Sequence, residues 1–216
     1  MRALRMRRLA LLSATAAAVA LIGSATAASA GPGREAAVRA ASATSVTVTG
    51  GSTTTVSTPA LGKALILAGI VPLPVGKAKL DSLDLKTLSL TVTQPIVGGT
   101  LDPAAFFAGN LNHAGGLQFF NIKKFRSVTV SDFVVFNDAN PRLVATVNGN
   151  PKRQVTLFTV DLSGLVLTGG PGRLGLGNVG LSITEEGAAL LNAKLRTKVF
   201  TAGTKFGTAN TTVLYK

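Results

Sequence analysis

Residues 126–162 read RSVTVSDFVVFNDANPRLVATVNGNPKRQVTLFTVDL, and this stretch decides the fold. Three runs rich in Val, Thr and Phe, Ser127 to Phe136, Leu143 to Asn148 and Val155 to Leu162, are separated by Asn137-Asp138-Ala139-Asn140-Pro141 and Asn148-Gly149-Asn150-Pro151. β-Branched and aromatic side chains suit a pleated, half-buried surface. Asn, Asp, Gly and Pro supply the backbone angles of tight turns. Short strands in succession with such punctuation predict consecutive antiparallel hairpins, and so a sandwich or barrel.

Working toward the C-terminus, residues 164–180 predict a further hairpin turning at Gly169-Gly170-Pro171-Gly172, and Val179 to Ile183 a strand. Thr184 can cap a helix whose first turn holds Glu185 and Glu186, where the helix dipole favours acids. Ala188, Leu191 and Leu195 make its apolar stripe, Lys194, Arg196 and Lys198 stand at its basic end, and Phe206 to Leu214 closes the domain as a strand.

In the other direction, Leu117 to Phe120 predicts a strand, and Asp102-Pro103 a single helical turn ending near Gly109. Leu83 to Val92 alternates as one half-buried strand with a break near Thr87. Thr58-Pro59 reads as the cap and first residue of a helix ended by Gly69, with Pro72 and Pro74 stopping anything longer. Ser45 to Thr49 and Thr53 to Thr58 predict two short strands around a turn at Gly50-Gly51. The 23 Thr and 20 Val of residues 31–216 agree with a mainly β fold: an antiparallel β-sandwich or barrel with a short C-terminal helix, in one domain over residues 44–216.

Residues 1–30 are expected to be an export signal. Arg2, Arg5, Arg7 and Arg8 precede an apolar run from Leu9 to Ile22, and Ala28-Ser29-Ala30 has the small-x-small form of a cleavage site after Ala30, with Ala27 as the alternative. The run is shorter than a spanning helix needs, and nothing later is long and apolar enough to span a bilayer. With no cysteine, a lipid anchor on that residue is excluded. Residues 31–43, small and without periodicity, read as a flexible leader. The expected location is secreted or wall-associated. Losing four arginines and no acid takes the formal charge from +13 to +9.

Composition argues against most catalytic chemistry. One histidine, nine scattered acids and no cysteine do not supply a zinc set, no D-x-D-x-D-G run offers a calcium loop, and neither G-x-S-x-G nor a phosphate-binding loop occurs. Glu185 and Glu186 are adjacent on a helix and point in different directions. An enzyme is not expected. The single His113 stands in Gly109-Asn110-Leu111-Asn112-His113-Ala114-Gly115-Gly116-Leu117, read as a loop between a short helix and a strand. Gly115 and Gly116 would let a ligand lie against the backbone, and Phe106, Phe107 and Phe119, with Phe120, flank the histidine and could line an apolar pocket or belong to the core. Lys123, Lys124 and Arg126, with Lys152-Arg153, form basic clusters suited to phosphate, carboxylate or an anionic envelope polymer, or are solvated turns. Nucleic acid is not expected, because one Tyr and no Trp leave little to stack on bases.

The order of motifs resembles the HtaA-type domain of exported actinobacterial proteins. The succession is Gly109-x-Leu111-x-His113-x-Gly115-Gly116-Leu117, Val128-Thr129-Val130-Ser131-Asp132-Phe133, Leu143 to Val147, Leu157 to Leu162 and Ile183-Thr184-x-Glu186-Gly187-Ala188, covering roughly residues 80–210. The resemblance implies a β-rich haem-binding or haem-handoff module in which a tyrosine ligates iron beside a histidine. His113 matches that histidine. The tyrosine has no counterpart within the motifs, the single one being Tyr215. The resulting expectation is a cell-envelope protein that binds a small apolar ligand such as haem, with His113 and its glycine loop as the site. The alternative is a structural or adhesive protein held by anionic wall polymer through its basic surface.

Overall fold

The three runs of residues 126–162 become strands β7 (Arg126–Asn137), β8 (Arg142–Val147) and β9 (Asn150–Asp161) in a computed structural model that describes residues 45–216. The expected export signal, the leader and the domain start at residue 44 lie outside the described residues. Before β7 come β1 (Val46–Ser57), helix α1 (Pro59–Ala68), β2 (Ile70–Val75), β3 (Lys79–Asp84), β4 (Ser89–Asp102), a 3-10 turn (Pro103–Ala105), β5 (Ala108–His113) and β6 (Gly116–Asn121). After β9 come β10 (Val166–Gly170), β11 (Arg173–Ile183), helix α2 (Glu185–Leu195) and β12 (Lys205–Tyr215).

All strand pairings are antiparallel, and eight strands close on themselves in the order β4, β5, β7, β8, β9, β11, β12, β1 and back to β4. Of the two expected architectures, the structure is therefore the barrel. The pairs β2–β6, β3–β4 and β10–β11 extend the sheet beyond the ring. Closure leaves few free edges, which suits a chain that has no disulfide to hold it together.

Both expected helices form. Thr58 caps α1, accepting from the Leu61 amide, and left-handed Gly69 ends it. Thr184 accepts from the Gly187 amide at the start of α2 and donates to the Thr156 carbonyl, tying the helix to β9. The apolar face of α2 puts Leu191 and Leu195 completely inside, across one end of the barrel. Each such leucine contributes on the order of 1.5–3 kcal/mol through burial.

Three local expectations are corrected. Gly50-Gly51 is not a turn, and β1 runs on through it with a register shift after Val48. At Gly51 (φ +130) a side chain would meet the Thr212 carbonyl, so glycine lets β12 approach closely rather than reversing the chain. The break near Thr87 is a full hairpin, in which the Asp84 carboxylate accepts from the Lys86 and Thr87 amides and turns β3 onto β4. Residues 108–113, read as loop, are strand β5, whose period-two pattern of Gly109, Leu111 and His113 was hidden by polar and small residues. The prolines that stop α1 lie in β2, a sheet edge where their missing amides cost no ladder bond.

Candidate functional site

The lone histidine sits where a strand bends. β5 and β6 run end to end beside β7, and at the junction Gly115 (φ +84) packs so closely on the Val75 carbonyl and the Lys77 and Ala78 amides that a side chain cannot fit. Gly116 lies equally close to the Val130 carbonyl. Opposite, β7 bulges at Asp132 (φ 50), whose amide donates to the Gly115 carbonyl. The matched kinks turn His113 into the barrel, where it is 4% exposed.

Inside, His113 belongs to a polar layer. Gln94 on β4 lies between Val92 and Ile96, Thr53 on β1 pairs across to Thr211 on β12, and Thr211 lies between Ala209 and Val213. All four polar residues are buried. On one side of them lies a large apolar cluster covered by α1 and α2, and on the other a small one of Val48, Ile96, Leu101, Leu111, Leu174 and Val213. The Phe133 carbonyl can only accept, so the Nδ1 of His113 donates to it (3.3 Å), and Nε2 accepts from the Thr53 hydroxyl (2.8 Å). Thr211 in turn donates to the Thr53 Oγ1 (2.9 Å). Burial holds the imidazole pKa down to about 4, so the ring is neutral near pH 7. Both nitrogens are committed to the protein.

A second feature stands at the barrel end away from the helices. The ring is closed there by β8, which begins only at Arg142, and beyond it an apolar cleft opens between the β7–β8 turn and β10. Phe106, Phe107, Leu111, Leu165, Leu167 and Leu176 line it around a cavity of about 50 Å³. Phe106 and Phe107 both adopt left-handed backbone (φ 52 and 55), which costs an aromatic residue on the order of 1 kcal/mol or more. The Asn137 side-chain amide holds them there by donating to both their carbonyls (3.1 and 2.9 Å). Phe106 is left 60% exposed and Leu167 stands partly in solvent.

The residues singled out from sequence thus fall at three levels. His113, Gly115 and Gly116 form the kink in the middle. Phe106 and Phe107 line the open mouth. Phe119 is buried under the helices, edge-on to Phe200 with ring centres 5.9 Å apart, and Lys123, Lys124 and Arg126 lie exposed at the β6–β7 turn on that same side. The partners Thr53, Thr211, Asn137 and Leu167 gave no signal in sequence. They come from distant strands and turns whose register only the closed ring defines. Among the described residues no group of three His, Asp or Glu side chains could hold a metal ion, and the Tyr215 hydroxyl lies 3.5 Å from the Gly170 carbonyl.

No family model matches this chain, and no curated protein does. Solved structures do. The C-terminal domain of HtaA from Corynebacterium glutamicum superposes with a TM-score of 0.54 at 14% identity, over 79% of this chain and 99% of that one. A domain-swapped dimer of a variant of the same domain covers 91% of this chain and 99% of its own, at 12% identity and a TM-score of 0.48. The described residues therefore have an HtaA-like fold, as the order of motifs implied.

Proposed function

We propose that this chain is an exported cell-envelope protein that binds a small apolar ligand, not an enzyme, and that the ligand enters the open mouth of the barrel. The observation that carries the reading is the pair Phe106 and Phe107, held in costly left-handed backbone by Asn137 so that apolar surface stays exposed over a cleft. Strain of this kind persists only where surrounding structure enforces it, and it collects at ligand sites. The likeness to the HtaA domain and the resemblance in sequence support haem or a similar planar ring as the first ligand to try.

Iron ligation by His113 does not fit. The ring is buried and both nitrogens are bonded to protein groups, so it has no free donor for a metal. A porphyrin would be held through its faces and edges against Phe106, Leu165 and Leu167. Titrating the purified protein with hemin and with metal-free protoporphyrin checks this. Both are expected to bind with comparable affinity, and Leu167→Lys to weaken both about tenfold or more, as expected when one large apolar contact is lost. Binding of hemin alone, with a Soret shift, would mean iron ligation instead. Binding of neither would end the ring-ligand reading.

A further inference from the structure

At the helix-covered end, three segments distant in sequence are fastened together. The Ile122 amide donates to the Gly69 carbonyl just past α1 (2.9 Å), the Lys123 ammonium donates to the Leu67 carbonyl (2.7 Å), and the Asn121 side-chain amide donates to the Leu195 carbonyl at the end of α2 (2.9 Å). The last turn of α1, the β6–β7 turn and the last turn of α2 thus share one surface.

That surface carries both exposed apolar and exposed basic side chains. Phe125 is 82% and Leu67 68% exposed, and Ile66 and Ile122 are about half exposed. Lys123, Lys124 and Arg126 come from the β6–β7 turn, and Lys194, Arg196 and Lys198 from the end of α2. No acidic residue lies on these segments, because Glu185 and Glu186 stand at the opposite end of α2. The helix dipole accounts for the cations at the α2 terminus but not for those of the β6–β7 turn, nor for a phenylalanine left almost wholly in water.

We propose that this surface docks on an anionic lipid bilayer, with Phe125, Leu67, Ile66 and Ile122 entering the headgroup region and the six cations meeting lipid phosphates. Exposed apolar groups on the same surface as several Lys and Arg are what an interfacial membrane contact requires. A hydrophilic polyanion such as a wall polymer would use the charges and leave the apolar groups without a role. Among the described residues no helix is long and apolar enough to cross a membrane, so the contact is peripheral. It lies at the end of the barrel away from the mouth, leaving the cleft open to solvent while the protein is docked.

Cosedimentation of the purified protein with vesicles tests this, using phosphatidylcholine alone and phosphatidylcholine with a third phosphatidylglycerol. Binding is expected only to the anionic vesicles, falling as salt rises. Phe125→Asn, which the left-handed backbone at this position (φ 51) accommodates without strain, should weaken binding about tenfold without lowering the thermal unfolding midpoint. Lys124→Glu and Lys198→Glu should each weaken it roughly fivefold or more. Equal binding to both vesicles, or to neither, overturns the proposal. So does full competition by soluble polyglycerol phosphate together with an indifferent Phe125→Asn, an outcome that would assign the surface to wall polymer.

Discussion

The two ends of this barrel are made differently. Under the helices, Leu191, Leu195, Phe119 and Val130 are buried in a large continuous cluster, which leaves gaps of about 40 and 60 Å³ beside Phe119. At the other end the small cluster around Leu111 and Val213 opens into a cleft, with Phe106 strained and exposed beside it. The contrast separates two tasks that compete when they share residues. The helix-covered end holds most of the buried apolar surface and supplies stability, and the end with strained, exposed Phe106 can receive a ligand. The polar layer of Thr53, Thr211, Gln94 and His113 lies between them, so the two apolar regions meet only around it, through half-buried Val135 and Leu176.

The largest expected effect lies at the sealed end. Leu195→Ala removes a completely buried side chain that α2 cannot shift to replace, since Thr184 and Asn121 fix the helix at both ends. A loss of about 4 kcal/mol is expected from denaturant unfolding. Leu174→Ala, in the small cluster, should cost nearer 2–3 kcal/mol, because a mouth that is already open relaxes more readily. Equal costs would show that the two ends are packed alike and remove the physical basis of the contrast.

The polar layer should appear in the pH dependence of stability. The His113 pKa is about 4 in the folded protein and near 6.5 once unfolded. Between those values the unfolded chain binds a proton that the folded chain refuses. Stability is therefore complete above about pH 6.5 and declines as pH falls toward 4, by about 3 kcal/mol in all. The aspartates with lowered pKa values, Asp84, Asp138 and Asp161, contribute stability that is present above pH 3.8 and lost below it, so they act mainly beneath this window. His113→Gln should be less stable at pH 7 but flat between pH 4.5 and 6.5. A wild-type protein equally stable across that window would mean that the layer is open to water and the ends are not insulated.

Much of the sealed end is legible in the sequence and little of the mouth is. The stripe Ala188, Leu191 and Leu195, the caps Thr58 and Thr184 and the hairpins of residues 126–162 are local signals, and local signals survive folding. Closure is not local. Nothing near His113 says that Thr53, 60 positions earlier, will donate to it, because that contact depends on the register of β1 against β4 and β12. The same is true of Asn137, which reads as a turn residue yet serves by holding Phe106 and Phe107 some 30 residues away. Hairpins also hide in alternation: the break at Thr87 left the pattern of Leu83 to Val92 intact while the chain reversed.

The smallest expected effect separates the two ends most sharply. If Phe106 is held in left-handed backbone for the sake of a ligand, replacing it by a residue at ease there should trade function for stability. Asn adopts this conformation at little cost, and Phe106, largely exposed, has little burial to lose. Phe106→Asn should therefore stabilise the fold by up to about 1 kcal/mol while weakening porphyrin binding severalfold. A gain in stability from deleting an aromatic side chain is unusual, and none of the buried phenylalanines at the sealed end, such as Phe119 or Phe200, would give one. If Phe106→Asn instead lowers stability, the phenylalanine closes the mouth rather than advertising it, and both ends of the barrel are then built for packing.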